Sequence, residues 1–201
     1  DCPTVVSFSG GRTSAYMLHR LLMAHGGKLP AGCEVVFANT GKEAEETLRF
    51  VQDCADRWDV PIVWVEYRAD GKGWAQVDFA SASRNGEPFE ALIRARNYLP
   101  NPVARFCTVE LKILRIADYM RSLGHEEFDV LVGIRADEPV RMAKLRADPS
   151  GGTRGITRRA PMAELGCTKG EVGFFWRYNG FDLALPNING TTMHGNCDLC
   201  F

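Results

Sequence analysis

The first fourteen residues constrain the fold more than any other stretch. Val5, Val6 and Phe8 make a short apolar run, and Ser9-Gly10-Gly11-Arg12-Thr13-Ser14 follows directly. Beyond it, residues 14–25 place Ala15, Leu18, Leu21 and Leu22 on one side of a helix that Gly26-Gly27 ends. A continuous apolar run needs cover on both faces, as in a parallel sheet. A strand turning through two glycines into a helix exposes the free N–H groups of the helix start. The glycines let the backbone approach an anion closely. Ser9 and Ser14 add hydroxyls and Arg12 adds charge, so the turn suits a pyrophosphate. It is not a Walker loop, which needs four residues between its glycines and then Lys. An ordinary serine-capped turn has similar letters; placement on the first strand-to-helix turn favours the phosphate.

The rhythm continues along the 201 residues. Val35-Val36-Phe37, Ile62-Val63-Trp64-Val65 and Val130-Leu131-Val132 read as further covered strands. Between them, residues 42–58 carry Ala44, Leu48, Val51, Ala55 and Trp58 on one face, with Thr40 and Glu43 spaced as a capping box. Residues 108–123 carry Val109, Ile113, Ile116, Met120 and Leu123 at helical spacing. The fold class expected is α/β, a Rossmann-like, mostly parallel sheet with helices on both faces and an irregular C-terminal loop region. The whole of 1–201 reads as one nucleotide-binding domain, with an insertion at 68–106 (a short helix near 87–97) and a C-terminal segment at 160–201. That last segment contains a helix near 168–178, capped by Thr168 and Glu171.

Net charge is −1, 45% of residues are apolar and 24% charged, which excludes a disordered tail and a histone-like basic protein. No apolar stretch is long enough to cross a bilayer and no secretory leader opens the chain, so a cytoplasmic location and no membrane partner are expected. The neutral balance hides a basic stretch. From Arg135 to Arg159, Arg135, Arg141, Lys144, Arg146, Arg154, Arg158 and Arg159 face only Asp137, Glu138 and Asp148. Arg135 follows a covered strand at the ligand-binding end of the sheet, and guanidinium groups suit phosphate. With Gly151-Gly152 and Gly155, residues 135–166 read as a loop or lid beside the phosphate turn. His19 and His25 fall on a helix and His125 in a turn, as surface or helix-end residues.

Ser-Gly-Gly-Arg-Thr-Ser resembles the PP-loop of the adenine nucleotide α-hydrolase superfamily, with Thr13 where Asp is usual. More narrowly, the chain resembles the phosphoadenylylsulfate (PAPS) reductase family. Asn39-Thr40-Gly41 with Glu46-Thr47 resembles its D-T-G…E-T segment, Arg105 to Lys112 its R-x-C-C-x-x-x-K segment, and Gly133-Ile134-Arg135 with Glu138 and Arg141 its G-x-R segment. Gly195-Asn196-Cys197-Asp198-Leu199-Cys200 resembles the G-C-x-x-C of cluster-bearing members. The resemblance implies ATP or a related adenine nucleotide, with Mg²⁺, held by Ser7, Ser9, Gly10, Gly11, Arg12, Thr13, Ser14, Asn39, Thr40, Gly41, Lys112, Gly133, Arg135 and Arg141. Arg12, Ser14 and Arg135 are the catalytic candidates.

Seven cysteines without a leader argue against a disulfide scaffold. Cys197 and Cys200 form a CxxC pair able to grip a metal or cluster, and Cys107, at a helix start that favours thiolate, is the natural third. Four-cysteine relatives carry a Cys-Cys pair where this chain has Phe106-Cys107. Either Cys167, Cys2 or His194 completes the set, or a three-cysteine [4Fe–4S] cluster keeps one open iron. Cys33 and Cys54 read as packing. The reaction expected is adenylation of an acceptor followed by cluster-dependent sulfur transfer, with tRNA, DNA or a small nucleotide as acceptor and a homodimer as a further partner. A PAPS or adenylylsulfate reductase is the first alternative, and a non-catalytic, nucleotide-binding redox sensor the second.

Overall fold

The structure, a computed structural model, describes residues 2–101, 104–188 and 191–192. Its centre is a six-stranded sheet in the order β4-β3-β2-β1-β5-β6. The strands are β1 (Thr4–Phe8), β2 (Cys33–Asn39), β3 (Val63–Tyr67), β4 (Trp74–Val77), β5 (Phe128–Val132) and β6 (Ile156–Arg159). All neighbours pair in parallel except β3 with β4. Chain order runs outward from β1 in both directions, so the sheet switches between β1 and β5, and the crevice at their carboxyl ends is where such sheets bind ligands.

Val5 and Val6 of β1 are fully buried, one on each face, as the unalternating run requires. Val6, with Leu18, Leu48 and Trp176, belongs to the core under α1 (Arg12–Ala24), α2 (Glu45–Trp58) and α8 (Lys169–Tyr178). Val5, with Ile116 and Met120, belongs to the core under α5 (Leu114–Ser122). Helices therefore cover both faces. α3 (Glu87–Arg96) fills much of the helical part expected inside 68–106. Two short strands, β7 (Asn187–Ile188) and β8 (Thr191–Thr192), form a separate ribbon.

Four expectations need correction. The 135–166 stretch is ordered structure rather than a lid: it holds α6 (Pro139–Ala147), β6 and α7 (Pro161–Glu164). β6 is an edge strand, and its charges are used there: Arg159 pairs with Asp129 at 2.6 Å and Arg158 donates to the Asp148 carbonyl. Thr40 and Glu43 do bond, but ahead of the helix; Ala44 is the N-cap of α2, with no side-chain cap. The 108–123 helix is not uniform. α4 (Phe106–Thr108) leads into a π-helical turn at Val109–Ile113 before α5 begins. The wider turn shifts the helical phase, so Val109 is exposed and Leu111 fully buried in its place.

His19 is the fourth. It lies between the rings of Trp58 (5.3 Å) and Phe175 (4.7 Å), and its buried Nδ1 has no protein partner among the described residues. Burial first, then the neighbouring Arg20 charge, lowers its pKa from 6.5. The unfolded chain then takes up a proton at a higher pH than the folded one. Stability from this site is complete above pH 6.5 and declines as pH falls through that value toward the folded pKa. Urea midpoints measured from pH 7.5 to 5.5 should fall in the wild type, and His19→Phe should flatten that fall.

Candidate functional site

β1 delivers the phosphate turn to the carboxyl edge of the sheet, and α1 leaves from it. Gly10 has φ +72°, and a Cβ there would lie 2.6 Å from Thr47 Cγ2 on α2. The turn therefore presses against α2 through a residue without a side chain. Ser14 Oγ donates to the Gly11 carbonyl (2.9 Å) and accepts from the Ser9 amide (3.1 Å). Its single proton being used, the 2.9 Å contact with Ser9 Oγ has Ser9 as donor. The two serines thus hold the turn closed. Gly11, the N-cap, has no side-chain cap bond, and the first turn of α1 contains no acid. The positive helix end is left without a carboxylate of its own.

β5 reaches the same place from the other side. A Cβ on Gly133 would lie 3.2 Å from both Cα and N of Ser14, so the strand end lies directly on the start of α1. Two residues on, Arg135 Nη1 donates to Thr13 Oγ1 at 3.2 Å. Its Nε pairs with Asp137 at 2.8 Å, and its amide donates to Glu138 at 2.9 Å. Arg141 pairs with the other oxygen of Glu138 at 2.7 Å. The Lys169 amide, supported by Arg135, holds the Asp137 carboxyl below its ordinary range. Burial pushes Glu138 up, but the Arg135 amide and Arg141 outweigh it and leave it lowered. Both carboxylates are thus kept charged, and they orient Arg135 over the turn.

Arg12 behaves differently from expectation. Its guanidinium grips Asp182 through two bonds of 2.7 and 2.8 Å and donates to the Leu183 carbonyl at 2.9 Å. The Trp176 indole in turn donates to the Arg12 carbonyl at 3.0 Å. Arg12 is buried, and its charge is spent on the segment after α8 rather than presented to an anion.

The Asn39-Thr40-Gly41 turn is also held internally. Asn39 is fully buried; its amide donates to Glu66 (2.6 Å) and to the Ser83 carbonyl (2.9 Å), and its oxygen accepts the Gly41 amide. Glu43, bonded to Thr40, pairs with Lys112 at 3.4 Å. This pair ties the turn after β2 to the π-helical segment. Ser7, expected in the binding set, lies within β1 below the turn. Glu66, Glu43, Asp182 and Trp176 were not singled out as site residues by sequence. Of these, only Glu43 left a trace, through its spacing from Thr40.

The cysteines separate by position. Cys107, in α4, is partly exposed at the carboxyl edge and packs against the small cluster of Phe89, Leu92 and Leu111. Cys197, Cys200 and His194 lie outside the described residues. Cys2 precedes β1 and so lies at the opposite, amino-terminal edge, which removes it as a companion of Cys107. Cys167 is buried in the core, with its thiol pushed up by burial and then by Glu171, and presents no ligand surface. Cys33, pushed up to about 11 by burial, and the buried Cys54 are packing residues. No group of three or more His, Cys, Asp or Glu able to hold a metal occurs among the described residues, nor does any helix long and apolar enough to cross a membrane.

Comparisons with known proteins agree with this architecture. An uncharacterized nin region protein, ORF290, of Escherichia phage lambda is 30% identical over 205 residues, covering 98% of this chain and 64% of its own length. The structure of the U34-tRNA thiolase NcsA from Methanococcus maripaludis, with its [4Fe–4S] cluster, superposes with a TM-score of 0.50 at 15% identity. That match covers 88% of this chain and 56% of the thiolase, so it speaks to the shared fold. The chain thus spans less than two thirds of either protein. The family model described as phosphoadenosine phosphosulfate reductase domain matches residues 3–147, which hold the phosphate turn, the Asn39 turn, Cys107 and Arg135. This chain belongs to the phosphoadenosine phosphosulfate reductase domain family.

Proposed function

We propose that the chain binds ATP at the β1–β5 crevice and splits it between the α- and β-phosphates to adenylate an acceptor, as the first half of a sulfur transfer. The observation that carries this reading is Arg135, aimed at Thr13 above an α1 start that has no acid of its own. An acceptor oxygen attacks the α-phosphorus, the bond to the bridging oxygen breaks, and pyrophosphate leaves with that electron pair. The first-turn amides of α1 and Arg135 receive the charge that develops on it. Ser9 and Ser14 keep the turn in shape for this. Lys112, tied to Glu43, is assigned to the nucleotide side of the crevice. Asp137 and Glu138 are turned to Arg135 and Arg141, and Mg²⁺, when bound with ATP, would offset the phosphate charge.

The thiolase neighbour carries a [4Fe–4S] cluster and acts on tRNA, which supports a cluster and a nucleic-acid acceptor here. The partly exposed Cys107 thiol at the carboxyl edge fits such a group. Cys107, Cys197 and Cys200 would hold it, and it would supply the sulfur nucleophile when bound. On this reading 1–201 is a single domain, 68–106 an insertion that contributes α3, and 160–201 the segment bearing the cysteine pair.

The test is pyrophosphate release from ATP by anaerobically purified, iron-reconstituted protein with nucleic-acid and nucleotide acceptors. Arg135→Ala should lower kcat by about 10²- to 10³-fold, the range for removing one preorganised charge-stabilising donor. Absence of pyrophosphate with every acceptor would sink the reading. The family description favours one competitor, a sulfonucleotide reductase. Sulfite released from PAPS with a thiol donor would decide for it.

A further inference from the structure

The geometry points to the outer face of α8 as a docking groove for single-stranded nucleic acid, leading toward the phosphate turn. Phe174 and Tyr178, one helical turn apart, are 66% and 71% exposed, and their rings contact each other at 4.8 Å. Large aromatic side chains in that state are unusual on a surface with nothing to cover them. Two open cavities flank them. One, of about 580 Å³, runs from Arg12 of the phosphate turn past Lys169 and Gly173 to Phe174 and Arg177. The other, of about 550 Å³, continues past Phe174 to Tyr178.

Gly170 and Gly173 are the second observation. Glycine inside a helix is destabilising relative to alanine. A Cβ on Gly173 would meet nothing within 4 Å, and on Gly170 only Thr168 Oγ1 at an ordinary 3.7 Å. Packing within the protein therefore does not require either glycine. Both line the larger cavity, where they keep the helix surface flat enough for a ligand to lie against it.

Charge decides the occupant. Lys169 and Arg177 are exposed and form no ion pair among the described residues. Asp182 is neutralised by Arg12 and Asp137 by Arg135, while Glu171, bonded only to Thr168, keeps its charge and lines the second cavity, so the unpaired cations belong to the larger cavity. The larger cavity is thus cationic and opens beside the stacked aromatics, the pairing that holds phosphates and unpaired bases. An anionic lipid surface would use the same rings and cations, but the larger cavity leads on from them to Arg12 of the phosphate turn, which suits an extended polyanion rather than a flat surface. The inference deepens the adenylation reading, since it places a polynucleotide acceptor where it can reach that turn.

Fluorescence anisotropy with labelled RNA and DNA strands of about 12 nucleotides, within the usual site size, tests it without ATP. The wild type should bind single strands, with a preference for RNA or DNA identifying the source. Phe174→Ala/Tyr178→Ala should weaken binding about 10- to 100-fold. Lys169→Glu/Arg177→Glu should weaken it and lower the salt slope by at least one unit. Gly173→Leu, with an unchanged circular dichroism spectrum, should weaken it at least 10-fold. A wild type that binds neither strand would overturn the proposal, as would binding that all three variants retain. A dimer broken by Phe174→Ala, with no strand bound, would give the face to a second copy and overturn it too. Strand binding without pyrophosphate release would sink adenylation and leave this groove standing.

Discussion

Glu66→Ala is expected to destabilise the fold by about 3–5 kcal/mol, the range for removing one partner of a buried charged network. Glu66 is fully buried at the end of β3, and all its bonds converge on one place. One oxygen accepts from Asn39 Nδ2 at 2.6 Å and the Ser83 amide at 2.7 Å; the other accepts from Ser83 Oγ at 2.8 Å and pairs with Arg68 at 3.2 Å. Alanine removes all four acceptor contacts and opens a cavity, while Arg68, a third exposed, can turn to water. Glu66→Gln should lie between. Its amide group can donate to the Ser83 hydroxyl, which can reverse, but it then faces Arg68 without a charge. The loss is about half the stability of a marginal domain. Urea denaturation checks it: the midpoint should fall with the slope unchanged. Because Asn39 also holds the Gly41 amide, the turn after β2 should loosen, and nucleotide affinity should fall in Glu66→Gln even at temperatures where it stays folded.

That network shows where sequence reasoning reaches and where it stops. β1, β2, β3 and β5 were legible because a strand covered on both faces must be apolar at every position, and such runs are short and conspicuous. The two edge strands were not. β4 lies in a polar stretch, with Gln76 exposed, and β6 reads Ile-Thr-Arg-Arg, whose charges are tolerated because an edge strand has one open side. The same charges looked like a lid because only the fold brings Asp129 to Arg159. The π-helical turn was invisible for a related reason. Apolar periodicity assumes one helical phase, and Val109 and Leu111 exchange roles when that phase slips.

Among the candidate site residues, the position of Arg135 beside the turn was legible because it follows a buried strand at the carboxyl edge of the sheet, a local signal. Arg12 was not. Its position in the loop suggested an anion, while its partner Asp182 lies 170 residues away with no pattern linking the two. The outcome reassigns the work of the turn. On the proposed function, charge for a phosphate would come from Arg135 across the crevice and from the helix start, while Arg12 fastens the segment that follows α8.

Gly10→Ala should cost about 2–5 kcal/mol and leave the phosphate turn unable to keep its shape. Two effects add. A residue with a Cβ in the left-handed region is worse than glycine by about 1–2 kcal/mol. Overpacking a filled site costs about 1–3 kcal/mol more, and here the new methyl would meet Thr47 at 2.6 Å, Phe37 at 3.2 Å and Val51 at 3.3 Å. Thr47 and Val51 belong to α2 and Phe37 to β2, so the methyl has no flexible chain end to push aside. The turn must move instead, which breaks the closure of Ser9 and Ser14 over Gly11 and shifts the α1 amides. Gly26→Ala supplies the comparison. Gly26 has φ +68°, and a Cβ there meets nothing within 4 Å, so only the conformational cost of about 1–2 kcal/mol applies. Thermal or urea unfolding of the two variants separates packing from backbone strain. Nucleotide binding by calorimetry should be lost in Gly10→Ala and unchanged in Gly26→Ala. Equal losses of stability in both would mean that the contact with α2 contributes nothing, and that the turn is glycine-rich for its backbone alone.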